Sequence, residues 1–356
     1  MNDAGSTARA ARPRLGFLGT GWIGRHRMQR IAESGAAEVA MICDASPQIA
    51  AETAKLVPDA RIARDFDELL RAGLDGIVIA TPSALHAEQS IRALESGLAV
   101  FCQKPLGRTA AEVETVIRAA HAAGRLLGVD LSYRFTEAMR RISELVAAGE
   151  IGQVYACELV FHNAYGPDKP WFYDARLSGG GCVMDLGVHL VDLALWVLGF
   201  PEVKQVSSRL FAAGKPLQDF SQVEDYGIAT LDLAGGAVVQ VACSWRLPVG
   251  CDALIAATFY GARGGLALRN VNGSFYDFVA EQFNGTSRKT LASPPDAWGG
   301  RAAVAWAEKL AANRGFDPEI RQMIAVAQVL DAIYGRGPLS RAHGKADAEP
   351  APARAA

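Results

Sequence analysis

The sequence predicts an α/β protein in which a doubly wound parallel sheet is followed by an α+β domain with an antiparallel sheet. Three observations carry that expectation. A glycine-rich GTGWIG at 19–24 directly follows a short apolar run. Apolar runs alternate with helix-length amphipathic segments up to about residue 131. Beyond Phe135, strand-like segments follow one another with few helices between them.

The elements follow in order. The first-half runs RLGFLG (14–19), EVAMICD (38–44), DGIVIAT (75–81), LAVFCQ (98–103) and RLLGVDLS (125–132) read as buried strands. Between them, SALHAEQSIRALESG (83–97) and TAAEVETVIRAAHAAG (109–124) read as helices ending at a glycine suited to a C-cap. After one further helix at 137–149, VYACELVFH (154–162), VKQVSSRLFAA (203–213), YGIATLDLA (226–234), AVVQVACSWRL (237–247) and ALIAATFYG (253–261) read as consecutive strands. A closing helix is signalled by Asp317 as N-cap, Pro318 at the first helical position and Gly335 as the stop. The expected division is a disordered N-terminus at 1–12, a dinucleotide-binding domain at 13–132, a substrate and oligomerisation domain at 133–340, and a disordered tail at 341–356.

Composition narrows the function classes. A net charge of −2 on 356 residues, half of them apolar, is ordinary globular usage, and no basic surface for nucleic acid is expected. The longest apolar run, LVDLALWVLGF from Leu190, is interrupted by Asp192 and is too short to span a bilayer, so it reads as a buried helix. The N-terminal residues lack the apolar segment of a signal peptide, and a cytoplasmic location is expected. Six scattered cysteines without CxxC spacing read as buried free thiols in a reducing compartment.

GTGWIG follows a strand and opens a helix, the context in which a GxGxxG is meaningful. Gly19 allows the tight turn, Gly21 lets backbone approach a pyrophosphate and Gly24 allows close helix–strand packing. The helix N-terminus, with Thr20, Trp22 and Ile23 completing the loop, offers N–H groups to phosphate. Asp44, at the end of the second strand, is placed to accept hydrogen bonds from the adenosine ribose and to repel a 2′-phosphate. The following ASPQ holds no Arg or Lys, so NAD is favoured over NADP.

ATPSALH (80–86), with Thr81, Pro82 and His86, and CQKPLG (102–107), with Gln103 and Lys104, lie at the carboxyl edge where open parallel sheets bind ligands. In the block from Ser178, Asp185 and His189 are spaced i, i+4, so a carboxylate can orient an imidazole suited to take the hydroxyl proton of an alcohol during hydride transfer. A metal would need a third ligand, and neither Asp192 nor His162 has diagnostic spacing, so no metal is expected. Tyr133, Arg134, His162, Asn163, Trp171, Tyr173, Asp174 and Arg176 are candidates to line a polyol pocket. Each also has an ordinary structural reading.

Taken together, GTGWIG, ATPSALH, QKP at 103–105, YRF at 133–135 and GGGCVMDLGVHLVD resemble the glucose-fructose oxidoreductase / inositol dehydrogenase / MocA family, with its blocks in the same order. The resemblance implies a Rossmann domain plus a C-terminal domain with a large, open, mainly antiparallel sheet used for homo-oligomer contacts. It also implies hydride transfer on a sugar, cyclitol or related polyol. It makes Lys104 the lysine that hydrogen-bonds the reacting oxygen, His189 the general acid/base, and Asp185 the residue that positions substrate and histidine. The chain departs from the family at Gln103, where glutamate is usual, removing a negative charge beside Lys104. Two alternatives stay open: an NAD-assisted glycosidase on the same scaffold, and a non-catalytic dinucleotide sensor.

Overall fold

The computed structural model describes residues 12–219, 222–313 and 315–339. The segments expected to be disordered, 1–12 and 341–356, lie outside these residues except for Arg12.

Six short strands form the first sheet: β1 (Arg14–Leu18), β2 (Glu38–Cys43), β3 (Arg61–Ile62), β4 (Gly76–Ile79), β5 (Ala99–Cys102) and β6 (Leu127–Val129). They are all parallel and lie in the order β3-β2-β1-β4-β5-β6. β4 and β5 are buried along their whole length, as expected of strands covered on both faces. The helix Ala110–Ala123 shows why the intervening segments fold as they do. Thr109 caps its N-terminus, Gly124 ends it in the left-handed region, and Val113, Val116, Ile117 and Ala120 put one stripe into the core.

The second sheet has nine strands: β7 (Val154–Asn163), β8 (Val203–Ala212), β9 (Lys215–Pro216), β10 (Tyr226–Leu233), β11 (Val238–Ser244), β12 (Ala253–Gly261), β13 (Gly264–Asn270), β14 (Phe278–Asn284) and β15 (Ser287–Ala292). Their order is β15-β14-β13-β12-β7-β11-β10-β8-β9, and all pairs are antiparallel except β7 with β11. Cys157, Leu159 and Phe161 of β7 face the core with Leu231, Val241 and Phe259. Alternate residues point the other way, where Glu158, Ile228, Gln240 and Leu254 are exposed.

The helical run Ala175–Val197 is long and apolar enough to cross a membrane, but 89% of its most apolar 18-residue window is buried inside the protein, and its second part packs on β7 and β11 of the second sheet as a core element. Five cysteines are buried free thiols as expected; Cys251 is the exception, exposed in the bend that precedes β12.

A helix absent from the sequence reading, Arg301–Ala312, follows the second sheet in the chain yet covers the first. Its Ala303, Trp306, Ala307 and Leu310 pack with Phe17, Val39, Phe101 and Leu126. Two glycines make room for the indole: a Cβ on Gly128 would come within 2.7 Å of Trp306, and one on Gly76 within 3.0 Å. Trp306→Ala is therefore expected to lower the unfolding free energy by about 3–5 kcal/mol, read from denaturant titration. A loss below about 1 kcal/mol would mean that the helix is not a structural layer of the parallel sheet.

Candidate active site

The glycine loop sits at the carboxyl end of β1. Gly19 has φ +84°, and a Cβ there would lie 2.6 Å from the Ala80 carbonyl oxygen; on Gly24 it would lie 2.0 Å from the Gly19 oxygen. These two glycines are required by backbone packing alone. Gly21 differs: a Cβ there would meet no protein atom within 4 Å, and Gly21 borders a cavity of about 1200 Å³. A glycine that the protein itself does not require, at an uncapped helix N-terminus with free N–H groups, fits a phosphate cradle. Trp22, 72% exposed, stacks beside His26 at the rim.

Asp44 is anchored by the same loop: Oδ2 accepts from Thr20 N at 2.7 Å and Oδ1 from Ser46 N at 2.9 Å. It does not line the cavity proper but sits beside the loop with acceptor capacity left for a ribose hydroxyl.

Thr81, Pro82 and His86 line the cavity. The ring nitrogens of His86 face the carbonyls of Pro105 and Thr81, each at 2.7 Å, so this buried imidazole braces two loops instead of presenting a free nitrogen. Burial pushes its pKa down, against the pull of those carbonyls. After β5 comes Gln103, then Lys104 in a cis bond to Pro105. Lys104 Nζ donates to Asp185 Oδ1 at 2.6 Å and to the Asp185 carbonyl at 2.7 Å, while Trp245 Nε1 donates to Asp185 Oδ2 at 3.2 Å.

The segment that carries Asp185 is fastened at its start by Glu224, which is 1% exposed. The Glu224 carboxylate accepts from Gly181 N and Val183 N, both at 2.9 Å, and from the Tyr334 hydroxyl at 2.8 Å. Burial raises the Glu224 pKa, opposed by those hydrogen bonds. The glycine run is dictated by this crowding: a Cβ on Gly180 would lie 2.0 Å from the Tyr334 hydroxyl, and on Gly181 1.9 Å from the Glu224 carbonyl oxygen.

The helix then takes a π turn at Val183–Gly187 before continuing as Val188–Val197. In that turn the Val188 N–H reaches back to the Val183 carbonyl. The expected pairing of Asp185 with His189 is replaced by other partners, because a largely buried carboxylate is satisfied first by the nearest cation and donor. Asp185 is turned onto Lys104 and Trp245, and no hydrogen bond joins it to His189 among the described residues. His189 is 8% exposed and packs edge-on against the Tyr133 ring at 4.8 Å. Burial, then the nearby charges of Lys104 and Arg27, hold its pKa well below the ordinary 6.5, so the imidazole is neutral.

The cavity thus brings together Gly21, Gln103, Lys104, Tyr133, Asp185 and His189, with Trp171 on its wall stacked on Phe172 at 3.8 Å. Other expected pocket residues lie elsewhere. Arg134 forks onto buried Asp192, at 2.8 and 2.5 Å, because a buried carboxylate needs a cation close by. His162 falls on the far face of β7, bonded to Ser244 at 2.8 Å and stacked on Tyr226, because strand side chains alternate and Phe161 took the inner face. Tyr173 donates to the Pro167 carbonyl and accepts from Arg246. Asn163 caps a turn at Tyr165, and Asp174 caps the short helix Ala175–Ser178 while pairing with Arg176. Among the described residues no group of three or more His, Cys, Asp or Glu side chains comes together as a metal site.

Trp245, Trp298 and Tyr276 were not singled out by sequence reasoning, and no motif marks them; they reach the site only through strand pairing and loop packing.

Comparison with known proteins gives the same picture. Residues 14–131 match the family described as an oxidoreductase family with an NAD-binding Rossmann fold, and residues 139–267 match the GFO/IDH/MocA C-terminal domain. D-glucoside 3-dehydrogenase of Escherichia coli (strain K12) is 28% identical over 243 residues, 65% of this chain and 69% of that protein. Inositol 2-dehydrogenase of Acidiphilium cryptum (strain JF-5) is 30% identical over 233 residues, 64% and 66% of the two chains. Among solved structures, GenD2 from gentamicin A biosynthesis, in complex with NAD, superposes with a TM-score of 0.77 at 24% identity, covering 94% of this chain and 96% of its own. Two successive domain matches over the parallel-sheet half and most of the second, with the same architecture, place this chain in the GFO/IDH/MocA oxidoreductase family.

Proposed function

We propose that the protein transfers hydride between NAD and a secondary alcohol or ketone of a sugar, cyclitol or related polyol. The observation that carries this reading is the convergence, in one cavity with the glycine loop, of a lysine held by a carboxylate and a buried neutral imidazole. Asp185 engages the Lys104 ammonium through two of its possible N–H bonds, leaving a third for the oxygen of the reacting carbinol. Neutral His189 takes the hydroxyl proton as general base, and its return is the acid step in the reverse direction. Aromatic walls, including Trp171 and Trp298, exclude water and offer flat faces to a sugar ring. NAD, when held by the Gly19–Gly24 loop and Asp44, supplies the hydride acceptor.

NAD is preferred to NADP because Asp44 sits beside the loop, and Arg25, on the helix that the loop opens, faces Glu52 at 3.6 Å. The open face of the nine-stranded sheet, with exposed Ile228 and Leu254, supports self-association through that face. The buried free thiols suit a reducing compartment, and we place the chain in the cytoplasm.

Substrate-dependent formation of NADH across a panel of sugars and cyclitols tests the reaction; glycoside cleavage without net NADH would overturn it. His189→Ala is expected to cut kcat by about 10²–10⁴-fold. Because the His189 pKa lies below 6.5, the base stays competent as the pH falls through 6.5, so the acid limb of kcat/KM should lie below that value. A limb at 6.5 or above would exclude His189 as the base. Titration should show NAD binding at least about tenfold tighter than NADP, with Asp44→Ala narrowing the ratio; an unchanged ratio would remove Asp44 from the discrimination. Light scattering should report an oligomer that Ile228→Lys with Leu254→Lys breaks down, and an unaltered mass would exclude this face.

A further inference from the structure

The parallel strands β5 and β6 end side by side, Cys102 opposite Val129, so the residues that follow extend the same pairing: Asp130 N donates to the Cys102 carbonyl, and the Gln103 side chain meets Asp130. They are 7% and 1% exposed, and both border the cavity. Asp130 is held from three directions. Arg27, on the helix that follows the glycine loop, donates Nε to Asp130 Oδ2 at 2.6 Å; Ser132 donates its hydroxyl to Oδ1; and Gln103 donates its amide Nε2 to Oδ2. A bond of 2.9 Å from Arg27 Nη2 to Ser132 Oγ closes the ring.

A carboxylate paired with a guanidinium accepts hydrogen bonds and donates none. The Gln103 amide therefore has one orientation open to it, with its NH2 on Asp130 and its carbonyl oxygen turned away. The buried ring is also balanced in charge: one guanidinium, one carboxylate and a neutral amide. Glutamate at 103 would press a second carboxylate against Asp130 in a nearly dry site, which like charges disfavour.

We propose that Asp130 is a positioning residue that locks the Gln103 amide with its oxygen presented to the cavity as a hydrogen-bond acceptor for the bound dinucleotide, and that Asp130 is the physical reason position 103 holds glutamine. The two residues are a matched pair, and the departure from the family's usual glutamate is compensated within this chain. The inference rests on the dinucleotide reading above.

The test is equilibrium binding of NAD, without substrate, followed by quenching of tryptophan fluorescence between pH 6 and pH 9. Gln103→Glu should weaken binding by about tenfold at pH 8 and recover affinity as the pH falls, when one of the two facing carboxyls takes up a proton. Gln103→Glu combined with Asp130→Asn restores a donor–acceptor pair and should return affinity to within about threefold of the unaltered chain, with the added pH dependence gone. Gln103→Met, which offers neither acceptor nor charge, should bind weakly with no added pH dependence. A Gln103→Glu variant with unchanged affinity and pH profile, or a double variant no tighter than the single one, would overturn the proposal while NAD binding itself stands. An unaltered chain that binds neither NAD nor NADP would overturn the dinucleotide reading and this inference with it.

Discussion

The ion pair between Lys104 and Asp185 is the constraint around which the rest of the site is arranged. It joins the carboxyl edge of the parallel sheet to the helix that packs on the antiparallel one, with side chains only 19% and 16% exposed. Withdrawing two charges from water is costly, and mutual attraction alone rarely offsets it. The second Asp185 oxygen is therefore met by Trp245, and the ammonium also takes the Asp185 carbonyl. Such a pair contributes orientation more than stability: it fixes where an N–H donor stands in the cavity, beside an imidazole whose protonation its charge opposes.

That placement depends on irregular backbone nearby. The glycine run at 179–181 lets Glu224 and Tyr334 close in on the start of the helical segment, satisfying N–H groups that would otherwise be orphaned in a buried place. The Asp185 carboxylate is taken by Lys104 and Trp245, so carboxylate and imidazole border the cavity with no hydrogen bond between them among the described residues. On the other side, Asp130, paired with Arg27, meets the Gln103 amide, and the Arg27 charge adds to that of Lys104 in opposing protonation of the imidazole. Each functional side chain is thus held by a neighbour distant in sequence.

Much of the fold was legible because its signals are local. GTGWIG, the capped helices and the apolar strand runs each lie within a short window, and period and capping chemistry decide them. The helix Arg301–Ala312 escaped because its apolar face is mostly alanine around one tryptophan, a weak pattern until Gly76 and Gly128 are seen to form its seat. His162 and Arg134 looked like pocket residues because a polar side chain next to an apolar strand is ambiguous by pattern. One falls on the outer face by strand alternation, and the other is drawn to buried Asp192. The expected Asp185–His189 contact gave way to Lys104 and Trp245, partners 81 and 60 residues away that spacing along one helix cannot reveal.

Local sequence by itself determined the parallel sheet and the glycine loop with Asp44 beside it, and marked Lys104, Asp185 and His189 as candidates, since backbone preferences and short-range periodicity act between near neighbours. Only the tertiary structure decided which partners those groups take: Asp185 with Lys104 and Trp245, Gln103 with Asp130, and Glu224 with the glycine run. The reason is physical. A buried charge or amide is satisfied by whatever complementary group the packed core brings within hydrogen-bond distance, and separation along the chain places no limit on which group that is.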